Sequence, residues 1–235
     1  MSDEAAIRVN FGRPMPVFPL AAVTLMPHAV VQLHVFEERY KQMVTDALDG
    51  PGQIAMAVFE GDLWQEDYHG RPPLRTAVCV GQIMQHQRLP DGRYLLAVHG
   101  ICRGRIVEEL PEDEERLYRM AVLEPIGINP VDEEEVATIR SRLERMLSRT
   151  RLADLKDAEQ VVAHLRDESV PTPAILELLA FTVFGEPELR YQLLAEPNVH
   201  RRAEIVEGEL ATLEQLLRRA APQRGVEGVK GCSWN

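Results

Sequence analysis

Residues 16–40 read PVFPLAAVTLMPHAVVQLHVFEERY, and the punctuation of this stretch decides the fold. Pro16, Pro19 and Pro27 break two short apolar runs, and a third, alternating run follows at Val31, Leu33 and Val35. Proline fixes φ and donates no hydrogen bond, so strands built here are short, bent or at an edge. From Phe36 the period changes. Tyr40, Met43, Val44, Ala47 and Leu48 fall on one face of a helix, with Glu37, Glu38, Arg39 and Lys41 facing out. Gly50-Pro51 is the stop. The expected order is three short strands and then a helix.

Beyond this segment the chain stays rich in strand patterns up to a composition shift at residues 124–131. Gln53 to Phe59, Thr76 to Leu89, Arg93 to His99, Ile101 to Leu110 and Arg116 to Leu123 carry β-branched or alternating apolar residues. Leu89-Pro90-Asp91-Gly92 joins two of them as a hairpin, because Pro presets one turn position and Gly tolerates positive φ at another. After Glu124-Pro125-Ile126-Gly127 the period becomes helical: Val136, Ile139, Leu143, Met146 and Leu147 share a face, and Asp132 is placed to cap it. Four further helices are expected. Asp157 caps Ala158 to Leu165; Thr172-Pro173 opens a helix that Gly185 ends; Pro187 to Ala195 is short; Asn198 caps a long last one. The helix from Thr172 is apolar nearly all round and is expected at the centre of the helical lobe.

Three sets of residues resemble the amino-terminal substrate-binding domain of Lon proteases. The first is the Pro19-Leu20 run, Pro27, the alternating strand and the helix start Phe36-Glu37-x-Arg39-Tyr40. The second is Val80-Gly81-Gln82-Ile83, Gly92 in its hairpin turn, Val98-His99-Gly100 and Arg103-Gly104-Arg105-Ile106. The third is Leu193-Leu194-Ala195-Glu196 with Asn198-Val199 and Arg201-Arg202-Ala203-Glu204. The resemblance runs from about Pro14 to about Leu217. It implies an α+β protein with a PUA-like β pseudobarrel carrying one or two helices, followed by a carboxy-terminal helical bundle. The expected lobes are residues 1–124 and 125–221, with a flexible tail at 222–235 bearing Cys232 and Trp234, where Gly and Pro occur without periodicity. Pro19, Leu20, Pro27, Phe36, Glu37, Arg39, Tyr40, Gly81, Gly92 and Gly100 are expected to be structural signature positions. Phe36 to Tyr40 would hold the helix against the barrel.

What the resemblance omits narrows the function. A complete Lon protease needs a GxxxxGK[ST] loop for phosphate and a serine nucleophile with a lysine base. These 235 residues contain no such loop, and lysine occurs only as Lys41, Lys156 and Lys230. A non-catalytic, stand-alone recognition domain is therefore expected, without cofactor or metal. Seven histidines show no metal-ligand spacing, although His86 and His99 lie on neighbouring strands. Cys79, Cys102 and Cys232 form no CxxC, and Cys79 and Cys102 read as small buried hydrophobes in a reducing compartment. No apolar run suits a signal peptide or a membrane span, so a cytoplasmic protein without membrane contact is expected.

The net charge of −11 weighs against nucleic acid as a partner. Glu108, Glu109 and Glu112 to Glu115 form one acidic cluster and Asp132 to Glu135 another, both read as solvated surface or helix start. The expected partner is unfolded or damaged polypeptide, taken up by exposed apolar surface and the cleft between lobes, in protein quality control and in association with a protease or chaperone. Leu63, Trp64 and Tyr68 in the loop Glu60 to Gly70, together with Arg88, are the candidate contacts; the competing reading of Trp64 is a plug for an open barrel end. The alternative function is a PUA-like RNA or nucleotide binding module, using Arg140, Arg142, Arg145, Arg149 and Arg151 as a basic stripe.

Overall fold

The computed structural model describes residues 7–21, 23–68, 70–127, 131–155 and 158–220. In chain order the elements are β1 (Met15–Leu20), β2 (Val30–Val35), α1 (Glu38–Leu48), β3 (Gln53–Val58), β4 (Ala77–Arg88), β5 (Tyr94–Glu109), β6 (Arg119–Pro125), α2 (Glu133–Arg149), α3 (Ala158–Arg166), α4 (Thr172–Thr182), α5 (Pro187–Ala195) and α6 (Val199–Ala220). Asp157 and the tail at 222–235 with Cys232 and Trp234 lie outside the described residues.

The opening segment supplies two strands rather than three. Thr24, Leu25 and Met26 are buried without joining the sheet, and the chain then reverses through Met26–Ala29, closed by a 3.1 Å bond from the Ala29 amide to the Met26 carbonyl. Pro27 in the second position and His28 at φ 64° have the pattern of a type II turn. The two prolines of β1 are tolerated where the pairing allows. β6 pairs only Met15–Val17, so Pro19, opposite Ala57 of β3, has one neighbouring strand.

The sheet order is β2-β5-β4-β3-β1-β6, and a further β5–β6 pairing closes five of these strands into a barrel with β2 added at the edge. β1 and β3 run parallel, which needs a crossover, and β2 with α1 provides it. Strand β5 replaces two expected strands, 93–99 and 101–110. Its 16 residues pair β2 and the outer half of β4 first, then β6. The strand bends instead of breaking, with register shifts in β4 at Val80/Gly81 and Ile83/Gln85. Gly100 is needed at this bend, since a Cβ there would sit 2.1 Å from the Met26 carbonyl oxygen. His99 faces Gln82 and His86 faces Leu96, so the two histidines are not opposed. β6 begins at Arg119, three residues later than expected, because Asp113 and Arg116 form a bridge ahead of it.

Val17, Ala55, Ala57, Val78, Val80, Ala121 and Leu123 fill the barrel core, with Phe59 and Leu74 among them. On the outer face α1 buries Tyr40, Met43, Val44 and Ala47, and the Tyr40 ring lies 4.5 Å from that of Phe18. Cys79 is fully buried, which pushes its thiol well up; Cys102 is half-buried, and burial takes its thiol to about 11.

The chain forms two compact units, Met1–Pro130 with Glu177–Val199, and Val131–Leu176 with His200–Asn235. Residues 177–199, expected in the helical lobe, thus pack with the barrel. The Arg75 guanidinium holds Glu188 at 2.6 and 2.9 Å and lies 3.4 Å from the centre of the Tyr191 ring. The Ala77 amide donates to the Tyr191 hydroxyl at 2.9 Å. Arg103, 6% exposed, pairs with Glu177, 2% exposed, at 2.5 Å and donates to the carbonyls of Leu193 and Leu194. A buried guanidinium that faces one carboxylate and two carbonyls offsets part of the cost of leaving water.

In the second unit Asp132 caps α2 by accepting from the Glu134 amide at 2.9 Å. Glu133 stays exposed at the helix start, and its carboxylate also accepts from the amide and hydroxyl of Thr172 at 3.0 and 2.7 Å, at the start of α4. Arg140 donates to the carbonyls of His164, Leu165, Asp167 and Val170, satisfying the open end of α3. α4 buries Ile175, Leu176, Leu179 and Ala180.

Candidate functional site

The barrel unit carries three features that bear on binding, all built around α1. The first is the loop between β3 and β4. Leu63 opens a short 3₁₀ turn, Leu63–Gln65. Trp64 is half-buried, stacks on Phe59 at 5.3 Å with the planes 8° apart, and packs against the barrel core. Tyr68 makes an edge contact with both rings, at 6.3 and 5.9 Å. Trp64 thus packs on the core of its own unit. His69 of this loop lies outside the described residues. Arg88 stands elsewhere, exposed near the end of β4 with its guanidinium 5.9 Å from the Tyr94 ring, so the four candidate contacts do not converge.

The signature residues of the helix start explain why the loop is held. Tyr68 donates to Glu37 at 2.5 Å, Arg39 donates to the same carboxylate at 3.1 Å and to the Tyr68 carbonyl at 3.2 Å. The Arg39 guanidinium lies 4.6 Å from the centre of the Tyr40 ring and 4.7 Å from that of Tyr68. Burial, followed by the bond to Glu37, raises the Tyr68 phenol above its ordinary range. Glu37, Arg39 and Tyr40 therefore fasten α1 to the barrel, but Phe36 does not. It is 62% exposed, near the edge strand β2, with its ring 6.1 Å from that of His34. Gly81 and Gly100 serve close approaches, to Val98 and Met26, and Gly92 takes φ 83° in the hairpin turn. Pro19 and Pro27 are buried and Leu20 is half-buried.

The second feature is the open end of the sheet. Among the described residues β2 pairs on one side only, with β5. Val30, Phe36 and Leu95 project from this region at 50%, 62% and 42% exposure. The register places Leu95 beside His34 on β2, so an apolar side chain lies one strand in from the edge.

The third feature is a pair of cavities that share Tyr118, from the loop between β5 and β6, and Met120. Gln42 of α1 holds this loop twice, donating to the Glu115 carbonyl at 2.7 Å and accepting from the Leu117 amide at 2.8 Å. The Tyr118 hydroxyl donates to Asp46 at 2.8 Å. One cavity, about 170 Å³, is polar: Arg39, Arg71, Arg116 and Arg119 line it with Tyr40 and Tyr118. The other, about 360 Å³, is walled by Pro14, Met15, Pro16, Ala47, Pro51 and Met120, with Arg13 and Asp46 also on its walls. Tyr118 and Met120 line both. Glu109, read from sequence as part of a solvated cluster, is three-quarters buried and binds both Arg119, at 2.6 and 2.8 Å, and Arg71, at 3.3 Å. Nothing in the linear sequence marks these cavities, since their walls come from five separate segments.

The arginines of the possible basic stripe are divided. Arg140 is turned onto carbonyls as described and Arg142 pairs with Glu207 at 2.8 Å, whereas Arg145, Arg149 and Arg151 are exposed. Among the described residues no group of three or more His, Cys, Asp or Glu side chains is placed to hold a metal ion, and no helix is long and apolar enough to cross a membrane.

Comparison with known proteins places this geometry. The chain is 29% identical over 136 residues to the Lon protease of Trichlorobacter lovleyi, a match covering 56% of this chain and 16% of that protein. It is 33% identical over 106 residues to the Lon protease of Escherichia coli K12, covering 45% and 13%. The chain thus spans only a small part of the length of these relatives. In fold it is similar to the N-terminal domain of a Mycobacterium avium complex Lon protease, with a TM-score of 0.64 and 14% identity over 85% of this chain and 98% of the other. A Lon N-terminal domain protein from Xanthomonas campestris superposes with a TM-score of 0.56 and 22% identity over 88% and 98%. The family model described as the ATP-dependent protease La (LON) substrate-binding domain matches residues 14–212, most of the chain. With its closed barrel, the α1 clasp and the helices that follow, this chain belongs to the LON substrate-binding domain family.

Proposed function

We propose that the barrel unit captures non-native polypeptide without covalent chemistry, as a recognition module in protein quality control. Unfolded and damaged chains share two things, unpaired main-chain groups and exposed apolar side chains. The observation that carries the reading is the sheet edge at β2, where a strand paired on one side lies beside exposed Val30, Phe36 and Leu95. An extended segment laid along such an edge gains main-chain hydrogen bonds that are indifferent to sequence, and apolar neighbours add affinity. A LON substrate-binding domain binds and does not itself catalyse, which fits a site of this kind. Delivery of the captured chain to a protease or chaperone, in the cytoplasm, completes the proposal.

The test is binding of a reduced, carbamidomethylated model protein compared with its native form. The unfolded form is expected to bind at least about tenfold more tightly, a difference of about 1.4 kcal/mol. Phe36→Ser, a surface change, is expected to erase most of that preference without moving the thermal midpoint. Equal affinity for folded and unfolded forms would refute the proposal.

A further inference from the structure

The polar cavity contains a group that the fold itself leaves unsatisfied. Tyr40 is 4% exposed, and among the described residues its buried hydroxyl has no hydrogen-bond partner. A buried hydroxyl without a partner is costly, and native chains seldom carry one unless something else is to meet it. Burial also holds this phenol far above its ordinary range, so it remains a donor at every physiological pH. The same cavity brings four guanidiniums together. Glu37 pairs with Arg39 and Asp113 with Arg116, but Arg71 and Arg119 share the single carboxylate of Glu109. Glu112, also on the wall, is exposed to solvent. Arg71 and Arg119 also donate to the carbonyls of Leu110, at 2.9 Å, and Pro72, at 2.7 Å, so what the pair offers is charge that one carboxylate offsets only in part, and a neutral donor beside that charge suits an oxyanion.

The neighbouring groove determines what the oxyanion is attached to. It adjoins the polar cavity across Tyr118 and Met120, and its walls of Pro14, Met15, Pro16, Ala47, Pro51 and Met120 are mostly apolar. We infer that the two cavities form one subsite for the carboxyl-terminal residue of a polypeptide, its α-carboxylate toward Tyr40, Arg71 and Arg119 and its apolar side chain in the groove. Charge complementarity selects the occupant: an apolar side chain alone leaves the arginine cavity unmatched, and a free anion leaves the groove empty. The inference deepens the polypeptide-capture reading and rests on it.

The experiment uses the full chain and three amino-terminally labelled decapeptides, read by fluorescence anisotropy. One ends in Leu with a free carboxylate, the second is its carboxy-terminal amide, and the third is an amide with an internal Asp. The acid is expected to bind about tenfold more tightly than the amide, the usual scale for a hydrogen bond to a charged group. Tyr40→Phe removes only the unpartnered hydroxyl, so the variant keeps its fold and thermal midpoint while losing most of the preference for the acid. Acid and amide binding alike, or Tyr40→Phe binding the acid as the parent does, overturns the inference. So does equal binding of the Asp amide and the acid, which assigns the cavity to side-chain carboxylates. A chain that captures the unfolded model protein yet treats the peptides alike loses this inference and keeps the broader reading; a chain that binds none of them loses both.

Discussion

Arg103 and Glu177 meet in the interior of the barrel unit, 6% and 2% exposed and 2.5 Å apart. A buried ion pair contributes little net stability, yet removing one partner strands the other charge in a medium that cannot solvate it. Glu177→Gln is therefore expected to cost about 3–5 kcal/mol in urea unfolding, and adding Arg103→Leu to recover part of that loss. A single variant within about 0.5 kcal/mol of the parent would mean that water reaches the pair. Arg103 was legible in sequence as one of the signature-like positions of a strand, but its partner was not. Glu177 sits 74 residues away in an otherwise apolar helix, where a lone carboxylate gives no hint of what it will face. Trp64 shows the same limit from the other side. An aromatic residue between Gly, Asp and Glu looks exposed in one dimension, while its stacking on Phe59 depends on how the barrel closes.

At the scale of elements, the loop between β5 and β6 is stitched to α1 by Gln42 and by the bond from Tyr118 to Asp46. Burial, then the hydrogen bond to Asp46, raises the Tyr118 phenol from 10.0 to about 12. Below pH 10 both folded and unfolded chains keep this proton, and the full stability is present. Between pH 10 and about 12 the unfolded chain releases a proton that the folded chain retains, so stability falls as pH rises through that window. Tyr118→Phe is expected to lose less stability than the parent between about pH 9 and about pH 11.5, as measured by urea midpoints. Part of the slope should persist, because burial also raises Cys102, to about 11, and Tyr40. Parallel slopes for parent and variant would show that Tyr118 is solvated. The elements themselves were largely readable: α1, α2, α5 and the hairpin at Leu89 to Gly92 have local signals of period, cap and turn. The count of strands was not. Whether the segment up to Met26 pairs, and whether β5 breaks at Gly100, depend on neighbours that only the closed barrel supplies.

For the whole molecule, the two units interleave along the chain, with residues 177–199 returning to the barrel after α2, α3 and the start of α4. A cut after the last strand would therefore leave Arg75, Ala77 and Arg103 without Glu188, Tyr191 and Glu177. A fragment of residues 7–127 is expected to show no cooperative thermal transition by circular dichroism. A fragment that melts as sharply as the full chain would make the strands an autonomous domain ending near residue 124, as the composition shift suggests. The proposed binding surfaces, the β2 edge and the paired cavities, both belong to the barrel unit.

The sequence by itself determined the family, the α+β class and most helix boundaries, because proline spacing, hydrophobic period and caps act over a few residues and are written in order along the chain. Tertiary structure alone decided which signature residues clasp α1 and which, like Phe36, stand in solvent. It also decided that Glu109 serves two arginines, and that Tyr40 keeps a buried hydroxyl beside an arginine-lined cavity. Those properties arise where segments distant in sequence meet. Burial, pairing and unmet hydrogen bonds exist only between such segments, so no local pattern could have announced them.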